Sequence, residues 1–187
     1  MQKITKDPDI RKQEIIDTAL QLFYEKGYEQ TSMLDITKKM NVSQGLCYRY
    51  FKSKEEIYSA ALDNYVNDGV EMFIALYCDR TKPIAGRLSS LVSIAEINNG
   101  NQENDFFNKP GNSHFHTQMQ IALCDKLYPI ILNELVDAMS KNEIAIDNPE
   151  AVAAFCIYGQ LGVWSIADIP DDKKISETQK LIMKMIE

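Results

Sequence analysis

Apolar residues recur along this chain at intervals of three and four, which is the spacing of an amphipathic α-helix. In the first eighty residues this spacing predicts four helices, at about 9–26, 33–40, 44–50 and 54–77. The pattern therefore predicts an all-α protein.

Residues with helix-capping chemistry mark several of these boundaries. Gly27 is a favourable end for the first helix. Ser32 with Asp35 predicts a capping box at the start of the second helix, and Ser53 with Glu56 predicts another at the start of the fourth. Each predicted helix therefore has local chemistry that supports at least one of its ends.

The second and third helices are short, and a tight turn joins them. Asn41 can adopt the left-handed conformation that such a turn needs, and Ser43 is a suitable cap for the next helix. Two short helices joined in this way form a helix-turn-helix, whose second helix enters the major groove of DNA.

The C-terminal two thirds is predicted to be helical as well. Apolar spacing predicts helices that start near Pro83 and then cover about 114–141, 149–168 and 171–186. Residues 98–113 are polar and rich in Gly and Asn, which indicates a loop. Pro129 either kinks one long helix or divides it into two.

Composition and charge narrow the class of protein. The net charge is −7, but residues 1–60 hold ten Lys and Arg against nine Asp and Glu, whereas residues 61–187 hold ten against eighteen. A local DNA contact near the N-terminus is compatible with this balance. With no apolar span and no export signal evident, the chain is predicted to be cytoplasmic, with four free thiols and no contact with a membrane.

Residues 9–58 contain a set of short motifs: Ala19-Leu20-x-Leu22-Phe23, Lys26-Gly27-Tyr28-Glu29-x-Thr31-Ser32, Ile36, Val42-Ser43-x-Gly45, Tyr48 and Tyr50-Phe51-Lys52-Ser53-Lys54-Glu55-Glu56. As a set, these motifs resemble the DNA-binding region of the TetR family of bacterial repressors. The resemblance implies a DNA-binding domain at 1–53 and a helical domain at 54–187 that dimerises and binds a small effector. Helix 54–77 would connect the two domains.

The helix pattern and the resemblance together predict the DNA contacts. The resemblance implies that Gln44, Gly45 and Leu46 face bases or the groove, and that residues at the helix ends contact phosphates. Arg49 could do either. The full predicted set is Thr31, Ser43, Gln44, Gly45, Leu46, Tyr48, Arg49, Tyr50, Lys52 and Lys54. Relatives often have Lys at position 44, Thr at 46 and Leu at 47, where this chain has Gln, Leu and Cys. Gln44 suits adenine, because its amide can pair with N6 and N7.

The last two helices are predicted to form a homodimer interface. The helix at 149–168 is apolar nearly all round and rich in small residues, so it needs cover on several sides. The predicted interface residues are Gly159, Gly162, Ile175, Leu181, Ile182 and Met185. A buried core helix with a docked tail is the alternative.

Large apolar residues on the C-terminal helices are candidates for an effector pocket. They are Phe73, Tyr77, Phe115, Met119, Leu123, Phe155 and Tyr158, each of which could equally belong to the core. His114, His116 and Cys124 invite a metal interpretation, but histidines beside a loop are more often solvated, so no metal and no cofactor are predicted.

These observations predict a ligand-responsive DNA-binding regulator, a repressor that a small molecule releases from a palindromic operator. A protein-interaction adaptor without DNA binding is one alternative, and a helical enzyme is another. The chain has no GxSxG, P-loop, HExxH or GxGxxG motif, so it is predicted not to be an enzyme.

Overall fold

A computed structural model describes residues 7–89, 106–107, 109 and 111–186 of the 187-residue chain. Within these residues the structure is all-helical, as predicted. Its helices are α1 (Pro8–Lys26), α2 (Met33–Lys39), α3 (Gln44–Tyr50), α4 (Lys54–Tyr77), α5 (Ile84–Ser89), α6 (Ser113–Ser140), α7 (Pro149–Trp164) and α8 (Asp171–Ile186). The predicted loop at 98–113 lies largely outside the described residues.

The chain forms two compact units whose boundary lies inside helices. The first unit contains the chain up to Tyr65 and the segment between Gly100 and His116. The second contains residues 66–99 and 117–187. The division into domains at residue 53 remains a prediction, because compactness alone does not define a folding domain.

In the first unit, capping chemistry positions the helices much as the sequence predicts. Gly27 ends α1 with a φ of 93°, a conformation that glycine adopts without steric cost. The Ser32 hydroxyl accepts from the Asp35 amide, and the Asp35 carboxylate accepts from the Ser32 amide, so the capping box of α2 is confirmed. The pKa of Asp35 is held well below its ordinary value by hydrogen bonds from Ser32 and Lys26.

The second predicted capping box is only partly formed. The Glu56 amide approaches the Ser53 hydroxyl at 3.4 Å, but the Glu56 carboxylate accepts from the Lys52 amide at 2.6 Å instead of from Ser53. The amide that donates to the Glu56 carboxylate is therefore one residue earlier than predicted. The backbone is extended at Phe51, which presents the Lys52 amide to that carboxylate.

An aromatic cluster fills the first unit beside the start of α4. Tyr28 and Tyr58 lie with their ring centroids 5.2 and 5.1 Å from Phe115, and Phe106 lies 5.2 Å from the same ring. Phe106 and Phe107 are fully buried. Residues more than forty positions downstream of the helix-turn-helix thus complete its hydrophobic core.

Helix α6, which lies in the second unit from Thr117 onward, is continuous through Pro129, so the chain is not divided into two helices there. The α6 residue Glu134 is buried and forms ion pairs with Arg80 and with buried Arg87 of α5. Burial raises the pKa of Glu134, but the hydrogen bonds from both arginines outweigh it and hold the pKa below its ordinary value.

The small-residue helix α7 ends earlier than predicted, at Trp164 rather than near Asp168. The Ser165 hydroxyl donates to the Gly162 carbonyl at 2.7 Å, and the Lys174 ammonium lies 3.3 Å from the Trp164 carbonyl. These side chains satisfy carbonyl groups at the end of the helix, which favours termination there. No helix within the described residues combines the length and the apolar character that crossing a membrane requires.

Candidate nucleic-acid interface

The exposed surface of α3 is the strongest candidate for a DNA contact. Gln44, Gly45, Tyr48 and Arg49 are exposed, while Leu46 is partly buried. All five belong to the predicted set of DNA contacts, and they lie on one seven-residue helix.

Buried residues and backbone hydrogen bonds hold α3 in place. Cys47 is fully buried on the inner side of the helix, and Phe51 is buried directly after its end. In the turn before α3, Asn41 has a φ of 54°, so the predicted left-handed conformation is confirmed, and the Val42 amide donates to the Thr37 carbonyl at 3.1 Å. The inner side is therefore packed, and the outer side is available to a partner.

Ser43 precedes α3 as predicted, but within the described residues its hydroxyl makes no capping hydrogen bond. The expected cap is thus wrong in its chemistry, although it is right in its position. The extended backbone at Ser43, with a ψ of 148°, starts the helix without help from the side chain. The exposed hydroxyl remains available to accept or donate elsewhere.

At the end of α3, Arg49 interacts with Tyr50. The guanidinium donates to the Tyr50 hydroxyl at 3.1 Å and lies 5.2 Å from the centroid of its ring. An arginine stacked on an aromatic ring keeps several N–H donors pointing outward, which suits recognition of phosphate or guanine. The two residues form one surface feature rather than two separate contacts.

Lys52 and Lys54 differ in how they are engaged. Lys52 is exposed. The Lys54 ammonium donates to the Tyr28 carbonyl at 2.9 Å and lies 4.4 Å from the Tyr28 ring centroid, with Glu29 as a more distant ion-pair partner. Lys54 therefore joins the start of α4 to the turn after α1, in addition to any contact with DNA.

Thr31 does not present a free side chain. It is buried, its hydroxyl donates to the Gly27 carbonyl at 2.9 Å, and its amide donates to the Tyr28 carbonyl at 3.2 Å. Both donors that a phosphate would use are already engaged in the turn between α1 and α2.

Cys47 has the environment of a core residue. Burial raises the pKa of its thiol, and nearby Arg11 offsets only part of this increase. Because the thiolate is the reactive form, the neutral thiol is best explained as a small hydrophobic side chain. The other three cysteines are also free thiols.

Four of the seven predicted pocket residues are buried in the second unit. Phe73 and Tyr77 have their ring centroids 4.8 Å apart, and Met119 and Leu123 lie on α6. Of the other three, Phe115 belongs to the aromatic cluster of the first unit, and Phe155 and Tyr158 are exposed on α7. The Tyr158 hydroxyl donates to Asp125 at 2.6 Å, and this bond raises the pKa of Tyr158 to about 12.

The predicted interface residues, in contrast, lie on two neighbouring helices of the second unit. Gly159 on α7 lines a groove together with Leu181, Ile182 and Met185 on α8. Gly162 is exposed on α7 and Ile175 is partly buried on α8, outside that lining.

His114 and His116 do not form part of a group of metal ligands among the described residues. His114 is exposed, and the buried Cys124 thiol lies 3.8 Å from the Ile157 carbonyl in the second unit. In the described part of the chain, no three His, Cys, Asp or Glu side chains are grouped so that they could hold a metal ion.

Tyr28 is a positioning residue that the sequence prediction did not single out. Its ring contacts Phe23, Tyr58 and Phe115, and it lies beneath the Lys54 ammonium. Burial, followed by the nearby Glu55 carboxylate, raises its pKa to about 12. Tyr28 belongs to the Lys-Gly-Tyr stretch of the family resemblance. Helical periodicity could not predict its contacts with Tyr58 and Phe115, because these residues are distant in the sequence.

Comparison with known proteins agrees with this geometry. Residues 15–61 match the model of the family "Bacterial regulatory proteins, tetR family". The chain is 37% identical over 68 residues to IcaR of Staphylococcus epidermidis, a negative transcriptional regulator of a biofilm operon, with 36% of this chain and 37% of IcaR covered. It is 47% identical over 51 residues to the uncharacterized regulator YuxN of Bacillus subtilis, with 27% of this chain and 18% of YuxN covered. The chain thus spans about a third or less of these relatives' length.

Solved structures extend the likeness of the fold. A TetR/AcrR-family transcriptional regulator from Thermobifida fusca superposes with a TM-score of 0.66 at 23% identity, covering 93% of this chain and 97% of the other. The fatty acid degradation regulator FadR from Bacillus halodurans superposes with a TM-score of 0.64 at 18% identity, covering 96% of each. The chain shares the all-α fold of these regulators, and its residues 15–61 match the tetR family model.

Proposed function

We propose that this chain is a transcriptional regulator that binds a palindromic operator as a homodimer and is released by a small-molecule effector. The observation that supports the proposal best is the exposed surface of α3. The capped helix α2 and the left-handed turn at Asn41 precede α3, and all three lie in the region that matches the tetR family model. IcaR is named as a negative regulator, so repression is the mode of action we infer.

The residues of α3 divide by chemistry into two roles. Gln44 would read a base through its amide, with Gly45 allowing close approach and Leu46 contacting a thymine methyl group. Tyr48, Tyr50, Lys52 and Lys54 would contact phosphates, as would the Ser43 hydroxyl, and Arg49 could contact either a phosphate or a base. Thr31 would act within the turn that presents α2, because its donors already bond to backbone carbonyls.

The homodimer follows from the way a single helix-turn-helix recognises DNA. Two reading helices must lie about 34–36 Å apart to enter successive major grooves on one face. The exposed apolar residues of α7 and α8, above all Phe155 and Leu181, provide a surface that a second copy would cover. A regulator of this kind would act in the cytoplasm, where the bacterial chromosome lies.

The effector would bind among the apolar residues of the second unit. Phe73, Tyr77, Met119 and Leu123 are the predicted pocket residues that are buried there. An effector that bound the DNA-free form better would lower operator affinity by its differential affinity for the two states, and by no more than that.

Selection of binding sites from a random DNA pool tests this proposal. The expected result is enrichment of an inverted repeat whose half-sites lie about one helical turn, or a multiple of it, apart. A protein with both Arg49 and Lys52 replaced by Ala should bind the selected site much more weakly, while circular dichroism shows the same helix content. Failure to enrich any sequence from the pool would contradict the proposal.

A further inference from the structure

Helix α3 carries few of the side chains that distinguish one base pair from another. Its sequence is Gln-Gly-Leu-Cys-Tyr-Arg-Tyr, from residue 44 to residue 50. Proteins read guanine most often with Arg or Lys, and they read cytosine with Asp or Glu, which accept from its amino group. The helix contains no Asp or Glu, and Arg49 is its one basic residue. The bases that α3 can recognise therefore depend on where Arg49 lies.

Arg49 lies in the last turn of α3 and is held at that end of the helix. It is five residues after Gln44, which is about 7.5 Å along the helix axis. Its guanidinium donates to the hydroxyl of Tyr50, the last residue of the helix, at 3.1 Å and lies 5.2 Å from the centroid of that ring. In a helix-turn-helix, the first residues of the second helix contact the base edges. The guanidinium is thus held away from the turn that reads bases.

The cations near α3 are placed for phosphate contact as well. Exposed Lys52 follows the helix, at the same end as Arg49. Lys38 and Lys39 lie in the last turn of α2, and the Lys39 ammonium pairs with Glu25 at 3.1 Å. The first helix of a helix-turn-helix crosses the DNA backbone rather than the bases. These lysines therefore do not replace the guanine reader that the first turn of α3 lacks.

The side chains in the first turn of α3 suit an A·T pair. Gln44 is exposed, and its amide can pair with N6 and N7 of adenine. Leu46 is partly buried, and its apolar tip can contact a thymine methyl group. Cys47 is fully buried and reaches no base. The exposed Tyr48 hydroxyl can both donate and accept, so it does not select one base pair.

We infer that the base pairs that α3 reads in each half-site are A·T pairs, recognised in the major groove through Gln44 and Leu46. Arg49 contacts a phosphate beside them and does not determine the sequence that is bound. This inference rests on the proposed function, and it adds the chemical class of the operator. It concerns only the base pairs that α3 faces, and the rest of the operator is not restricted by it.

Binding-site selection with two variants of α3 locates these base pairs. Gln44→Lys places a cation in the first turn, so the preference at one base pair of each half-site should change from adenine to guanine. Leu46→Ala should weaken the preference for thymine at another. The base pairs whose preference changes are those that α3 faces, and both should be A·T in the wild-type motif. If neither variant changed any preference, the inference would be wrong.

Arg49→Ala is the matched variant for the other end of the helix. Selection at low salt should recover the wild-type motif unchanged. The slope of log K against log salt should fall by about 0.9, the value for one lost phosphate contact with B-DNA. A G·C preference that is present with the wild type and absent with Arg49→Ala would show that Arg49 reads guanine.

Base analogues test the inference with the unmodified protein, so this test does not depend on how a variant folds. An inosine·cytosine pair has the minor groove of A·T but the major groove of G·C. In place of an A·T pair that α3 faces, it should weaken binding about tenfold, as G·C does. Uracil in place of thymine removes only the methyl group, and it should weaken binding by the wild type but not by Leu46→Ala.

The outcomes distinguish this inference from the proposed function. Failure to enrich any sequence would overturn the proposed function and the inference together. An enriched inverted repeat with G·C pairs facing α3 would overturn the inference and leave the proposed function intact. Full binding to the inosine·cytosine site would also overturn it, because the A·T preference would then come from the minor groove or from the shape of the DNA.

Discussion

The two units of this protein use polar side chains in different places. In the first unit, polar contacts lie at helix ends near the surface: the capping box of Ser32 and Asp35, and the Lys54 ammonium on the Tyr28 carbonyl. In the second unit, polar groups are buried between helices, as with Glu134 and Arg87, and with Gln160 beside the α7–α8 groove.

The difference reflects what each unit does. Contacts at helix ends fix the angle of a short helix such as α3 and leave its outer side chains free for a partner that is itself polar. Buried polar groups cost more when they lack partners, so they discriminate between alternative packings. Under the proposed function, the first unit reads DNA, and the buried polar groups of the second unit hold its helices in one packing.

Breaking the buried ion pair between Glu134 and Arg87 should lower the free energy of unfolding more than any other change proposed here. Glu134→Gln removes the counter-charge of buried Arg87, and we expect a loss of about 3–5 kcal/mol in the free energy of unfolding. Urea unfolding at pH 7 measures it. Asp137→Asn, which breaks the pair with Lys141 on the outside of the same helix, is the matched control and should cost much less.

The same pair predicts a dependence on pH. The folded pKa of Glu134 lies below its ordinary value of 4.5. Its contribution is therefore complete above about pH 4.5 and decreases as the pH falls through the folded pKa. The stability difference between wild type and Glu134→Gln should shrink in that acidic range. A difference that stayed constant from pH 7 to pH 3 would show that the charge of Glu134 does not stabilise the fold.

The two serines that precede α2 and α3 provide the next comparison. Ser32→Ala removes a formed capping box and should lower the free energy of unfolding by about 1 kcal/mol. Ser43→Ala removes a hydroxyl that caps nothing among the described residues, so it should change stability by a few tenths at most. Thermal unfolding of both variants checks this, and equal losses would mean that the hydroxyl of Ser43 caps α3 after all.

Substitutions of Lys52 and Lys54 distinguish a residue that only contacts phosphate from one that also positions α4. Lys52→Ala should reduce the slope of log K against log salt by about 0.9, the value for one lost contact with B-DNA, and leave folding unchanged. Lys54→Ala should also lower the folding stability, because the ammonium bonds to the Tyr28 carbonyl. Salt titrations of operator binding, together with unfolding curves, measure both effects. If Lys54→Ala left stability unchanged, its bond to Tyr28 would have no structural role.

Helix boundaries could be predicted from the sequence because their causes are local. The turn at Asn41, the capping box at Ser32 and the bounds of α4 follow from residues within a few positions of each other. At the early end of α7, the Lys174 ammonium, ten residues away, binds the Trp164 carbonyl in addition to the local bond from Ser165. Local chemistry thus determined most helix ends, and a tertiary contact contributes to that exception.

The pocket and the groove could not be predicted in the same way. Apolar periodicity marks Phe73 and Phe155 alike, yet Phe73 is buried and Phe155 is 68% exposed, because periodicity does not specify which helix covers which face. Likewise nothing near Gln160 in the sequence points to Thr178, which becomes its neighbour along the groove only when α8 packs beside α7.

The central claim is that α3 reads bases, and binding-site selection with Gln44→Ala beside the wild type tests it most directly. Gln44→Ala should cost about 1–3 kcal/mol on the wild-type operator and much less on random DNA. The selected motif should remain an inverted repeat but lose its preference, expected to be adenine, at one base pair in each half-site. An unchanged motif with uniformly weaker binding would contradict the claim, because Gln44 would then contact only the DNA backbone.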